Sequence, residues 1–190
     1  MDSKKDKILK VAEEMFAYFG IQKTTMEDIA KKAGMGKSTL YYYFKSKEEV
    51  FAEVIGKDSI RFKDQANRAI AEGNSPQNKI ANYILIRIIH LKELKNYYST
   101  LTKEYPVHYA FIEDARRDFN EFEINTLSLL IEEGVAKGIF AMDSVETTAR
   151  YFVIFLKGLE YSFLTNYLPG DIEKDSRQML QILFKGIEIH

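Results

Sequence analysis

Residues 34–44 read GMGKSTLYYYF. Gly34, Gly36, Lys37 and Ser38 are residue types that meet phosphate: glycine lets backbone approach an anion, lysine brings charge, and a hydroxyl brings a donor. Two chemistries use such a set, the grip on a free nucleotide in an enzyme and the grip on a DNA backbone. A nucleotide loop has the form G-x-x-x-x-G-K-[ST] and follows a buried strand. Closing that motif on Gly36-Lys37-Ser38 puts its first glycine at position 31, where Lys31 stands, and the preceding MEDIAKKA has a helical, amphipathic pattern. A nucleotide hydrolase or transferase using Lys37 and Ser38 is therefore only the alternative reading. There is no Cys and no G-x-S-x-G, and His90, His108 and His190 lack zinc-ligand spacing, so no catalytic residues, metal or cofactor are expected.

The elements around the stretch favour DNA. Thr25 with Asp28 has the form of a capping box and opens a short helix that carries Ile29, Ala30 and Ala33 inward and stops at Gly34. A second short helix fits Lys37 to Phe44, with Leu40 and Phe44 on its inner face. Ser46 with Glu49 repeats the capping pattern and opens a third helix, which runs to about Glu72. Two short helices joined by a glycine turn form a helix-turn-helix, whose second helix enters the major groove. Its outward residues Lys37, Ser38, Tyr41 and Tyr42 are the expected base contacts. Thr25, Thr39, Tyr43 and Lys47 are the expected phosphate contacts, Thr25 and Lys47 at helix N-termini that favour an anion. Charge agrees: from Ile29 to Lys47 there are five lysines and no acid, on a chain of net charge -1. That is a focused contact with a polyanion.

The stretch TTMEDIAKKAGMGKSTLYYYFKSKEEVF, residues 24–51, resembles the signature of the TetR family of bacterial transcriptional regulators. The departures are Gly36, where the family usually has serine in the turn, and Ser38, where it usually has glycine. The first weakens or alters the cap of the recognition helix; the second adds a hydroxyl where backbone often approaches DNA. The resemblance implies a homodimer on a palindromic operator. It also implies a helix-turn-helix domain over residues 1–47, a connecting helix over 48–72, and a ligand-binding and dimerisation domain over 73–190. It implies a regulator, usually a repressor released by a small, largely apolar effector. An effector-independent dimeric DNA-binding protein is a further alternative.

The rest of the chain is expected to be all-α. Three prolines and ten glycines in 190 residues leave room for long helices, and strand alternation is nowhere sustained. Residues 77–95 are apolar nearly all round, as in a central helix. A long helix follows over 107–137, another over 144–168, and a last one carries Ile172, Met179, Leu180, Leu183, Phe184 and Ile187. Tyr83, Arg87 and His90, with Tyr105, His108 and Tyr109 near Pro106, are the expected pocket residues, Arg87 facing an acidic group of the ligand. Phe152, Leu156, Leu159, Phe163, Met179 and Leu183 are the expected dimer contacts, mostly because the family pairs its last two helices. The charged N-terminus, MDSKKDKILK, has no leader-like apolar stretch, and no apolar run reaches membrane-spanning length. A cytoplasmic protein with no membrane partner is expected.

Overall fold

The structure is a computed structural model and describes residues 3–93, 114–165 and 171–188. Eight helices are present among these residues: α1 Ser3–Phe19, α2 Met26–Lys32, α3 Lys37–Tyr43, α4 Lys47–Ala71, α5 Pro76–Glu93, α6 Arg117–Ala136, α7 Val145–Thr165 and α8 Ile172–Ile187. The only extended pairing among them is an isolated bridge between Phe140 and Glu188. The all-α reading therefore holds.

The chain divides into two compact units, and the division falls inside α4, between Ile60 and Arg61. The first unit packs α1, α2, α3 and the first half of α4 around Ile8, Ala12, Phe16, Ile29, Leu40, Phe44, Val50 and Phe51, all buried. Phe16 and Phe51 meet edge to face at 5.6 Å. The turn between α2 and α3 follows from its glycine. Gly34 takes φ +67, a left-handed conformation that glycine adopts without strain. Its N–H donates to Lys31 O at 3.1 Å, and Met35 N–H donates to Ala30 O at 2.9 Å, a Schellman end that satisfies the last carbonyls of α2. Thr24, fully buried, donates its hydroxyl to Gly20 O at 2.7 Å and ties the α1–α2 turn.

The second unit comprises α4 from Arg61, α5, and the helices after residue 117. Its core holds Phe62, Ile80, Tyr83, Ile84, Leu127, Ile131 and Phe140. Phe62 sits at the centre of an aromatic group, 5.3 Å from Phe119 and 5.1 Å from His90 between ring centroids. α6 ends in a second Schellman turn on Gly138, with Gly138 N–H on Val135 O and Ile139 N–H on Gly134 O. Phe140 then stacks on Phe184 of α8 at 6.0 Å.

Candidate nucleic-acid interface

Seven residues make α3, KSTLYYY, and its two faces differ sharply. Leu40 is fully buried and Phe44, which caps the helix, nearly so; together they fix α3 to its neighbours. Lys37, Ser38, Tyr41 and Tyr42 are exposed on the opposite face, Tyr42 to 83%. All four residues expected to meet bases are thus brought together on one outward surface. Lys37 Nζ lies 5.7 Å from the centre of the Tyr41 ring, and Tyr42 packs edge to face on Tyr43 at 5.1 Å. Gly36 caps α3 with extended backbone and no side-chain hydrogen bond, and a Cβ placed there would meet nothing within 4 Å. The cap is weak, as the missing serine implied, and the space for a serine is open.

The flanking residues are placed less uniformly. Thr25 Oγ1 accepts from Asp28 N–H at 3.1 Å, and the Asp28 carboxylate accepts from Thr25 N–H at 3.3 Å and from its hydroxyl at 2.5 Å. The box forms, but it occupies the hydroxyl proton expected to meet a phosphate. Lys47 opens α4 and donates to Gln22 O at 3.4 Å. At the second predicted box Glu49 N–H donates to Ser46 Oγ at 3.2 Å, while the Glu49 carboxylate takes Lys45 N–H at 2.6 Å. Thr39 and Tyr43 are half-buried beside the exposed face.

Sequence reasoning missed Glu27. Its carboxylate, in the first turn of α2, forms an ion pair with Lys37 Nζ. The hydrogen bond between them holds the Glu27 carboxyl below the usual carboxylate range and the Lys37 ammonium above its own. An acid ten positions before a lysine carries no local periodicity signal, because the glycine turn between them sets the approach.

These features identify a helix-turn-helix head, and residues 8–54 match the family described as bacterial regulatory proteins, tetR family. Residues 8–54 form a head of the TetR family of bacterial regulatory proteins. The chain is similar to the HTH-type transcriptional repressor KstR2 of Mycolicibacterium smegmatis, at 27% identity over 97% of this chain and 91% of that protein. It is also similar to the HTH-type transcriptional regulator QacR of Staphylococcus aureus, at 25% identity over 82% of this chain and 83% of that one. A crystal structure of a transcriptional regulator from Cytophaga hutchinsonii superposes with a TM-score of 0.75, at 26% identity, over 99% of this chain and all of that one. The matched segment spans α2, the Gly34 turn and α3. A nucleotide loop is disfavoured on the geometry too: the segment before Gly34 is helix α2, and Lys37 is paired with a carboxylate.

In the second unit the outcome for the expected pocket residues is mixed. Tyr105, His108 and Tyr109 lie outside the described residues. Tyr83, Arg87 and His90 are all buried on α5. The expectation that Arg87 faces an acidic ligand is corrected: two protein carboxylates hold it. Arg87 Nε donates to Glu123 Oε1 at 2.9 Å, its terminal nitrogen pairs with Glu160, and Tyr83 OH donates to the same Glu123 oxygen at 2.9 Å. These partners stand 36 and 73 residues from Arg87, beyond the reach of spacing arguments. Glu123 is fully buried, and its Oε2 has no hydrogen-bond partner among the described residues.

The expected dimer residues divide similarly. Phe152, Leu156 and Met179 are buried within the single chain, while Leu159, Phe163 and Leu183 are half-buried. Among the described side chains of α7, Tyr151, Ile154, Phe155 and Tyr161 are exposed apolar groups, and Ile182 of α8 is exposed as well. Among the described residues, no helix is long and apolar enough to cross a membrane.

Proposed function

We propose that this regulator binds a two-fold-symmetric operator as a homodimer and represses transcription until a small, largely apolar effector releases it. The exposed Lys37–Ser38–Tyr41–Tyr42 face, anchored from behind by Leu40 and Phe44, carries the reading. One such helix contacts too few base pairs for useful specificity, and two of them about 34–36 Å apart double the reading. Residues 1–47 act as the head, 48–72 as the connection, and 73–190 as the effector and dimer domain. Site of action is the cytoplasm, with the DNA.

The dimer contact uses the outward stripe Tyr151, Ile154, Phe155 and Tyr161, with Gly158 open for close approach. That stripe replaces the buried residues Phe152, Leu156 and Met179, which already serve the chain's own core. A run of exposed aromatic and aliphatic side chains along one helix is surface that a partner covers. For an effector, the core of the second unit is largely apolar and carries Glu123, whose Oε2 has no hydrogen-bond partner among the described residues. Repression as the output draws on the similarity to KstR2, a repressor.

Recovery of chromosomal fragments on the purified protein tests the proposal. Enrichment of inverted-repeat sites, released by apolar small molecules, is expected. Enrichment of unpaired half-sites bound by single chains would overturn the dimer, and fragments that no apolar compound releases would overturn the effector.

A further inference from the structure

Lys37 is the only charged residue of α3, and it is already partnered. Its ammonium pairs with Glu27 from α2 while its side chain remains 59% exposed, and that of Glu27 53%. An ion pair this wet adds little to the stability of the head. Its consequence lies in what it leaves Lys37 able to do. A lysine ammonium has three donors. With one directed at Glu27, two remain, and guanine presents two acceptors, O6 and N7, on its major-groove edge. The neighbouring cations differ: Lys31 and Lys45 have no ion pair among the described residues, and Lys32 pairs with Glu14 away from α3.

A free lysine on a recognition helix swings to whichever phosphate is near, which raises affinity for every sequence alike. Glu27 opposes that swing twice: it holds the ammonium, and its own charge is repelled by the DNA backbone. We propose that Glu27 is a positioning residue for sequence recognition, retaining Lys37 on the base edge in the complex and keeping it off the phosphates. This rests on Lys37 being a base contact. The ligand edge it selects is that of guanine, because only there do both remaining donors find acceptors on one base. Glu27 contacts no base in this account, so it tunes discrimination through Lys37 alone.

A double-mutant cycle tests it. Wild type, Glu27→Gln, Lys37→Gln and the double variant are each selected against a random duplex library and titrated with a non-specific duplex over a salt series. Glu27→Gln is expected to tighten non-specific binding about three- to tenfold and to steepen the salt slope by about 0.9, the signature of one added phosphate contact. It should also relax the preference for guanine at one position of each half-site; in the Lys37→Gln background the steeper salt slope and the relaxed guanine preference should both be absent, leaving only a smaller tightening from loss of the Glu27 charge. Equal tightening on all sequences with guanine preference intact would overturn the proposal, as would the same slope and preference changes in the Lys37→Gln background. A Lys37→Gln variant that keeps wild-type base preference would overturn the base-contact reading itself, a result separable from failure of Glu27.

Discussion

Gly134 of α6 and Phe140 compete for one space: a Cβ on Gly134 would stand 2.0 Å from Phe140 Cδ2 and 2.4 Å from Cε2. The glycine lets the ring fold back onto the helix that the chain has just left. There it stacks on Phe184, while Ala141 N–H donates to Ile187 O at 2.8 Å. Gly134→Ala must displace a fully buried ring, and overpacking of this kind costs roughly 1–3 kcal/mol. Urea unfolding should show that loss, with the exposed face of α3 unchanged. A variant as stable as wild type would mean that the ring has room to move.

Stability at alkaline pH should depend on Tyr83. Burial first, and then the Glu123 carboxylate, pushes the Tyr83 phenol well above its usual value of 10.0. Between that value and its folded pKa, the unfolded chain gives up a proton that the folded chain keeps. Stability is thus fully present below about pH 10 and falls as pH rises further, by up to about 1.4 kcal/mol per unit. Tyr83→Phe removes that loss and also the hydrogen bond to Glu123, at a cost of roughly 1.5–3 kcal/mol near neutrality. The gap between wild type and variant in denaturant unfolding should hold from pH 7 to 9 and shrink above pH 10. A constant gap to pH 11 would contradict the assignment.

Two substitutions on α3 should separate scaffold from surface. Leu40→Ala empties a fully buried site and should cost roughly 2–5 kcal/mol, with DNA binding lost in proportion to unfolding. Tyr42→Ala, at an exposed position, should change stability by less than about 0.5 kcal/mol while altering the selected DNA sequence. Thermal melts and binding selections on the same two proteins decide between them. Unchanged selection by the Tyr42 variant would remove that residue from the interface.

Ile154, exposed to 64% in the single chain, lies near the middle of the proposed dimer stripe. Ile154→Glu should give a folded single chain by sedimentation velocity and weaken operator binding at least tenfold, because only one head then engages. A variant that still sediments as two chains would place the interface elsewhere.

How far the sequence carried differs between the two units. In the head, helical order, the Gly34 turn, the Thr25–Asp28 box and the inner and outer faces of α3 all follow from local rules, since every partner lies within a few turns of chain. Glu27 escaped notice because its partner lies across that turn. The second unit is decided over longer distances. Arg87 stands on a very apolar helix, and nothing near it in the sequence announces Glu123 or Glu160. The stripes of α7 were visible as an apolar surplus, but with Phe152, Val153, Ile154, Phe155 and Leu156 in succession the sequence does not say which of them face inward. Packing chose Phe152, Val153 and Leu156 for the core and left Ile154 and Phe155 outside.

Selection of purified protein against a random duplex library at moderate salt tests the recognition face most directly. The outcome expected is a single two-fold-symmetric motif, its half-sites centred about one helical turn apart and altered at defined positions by Lys37 and Tyr42 variants. Recovery of unenriched duplex, or a motif indifferent to every change on the exposed face of α3, would contradict it.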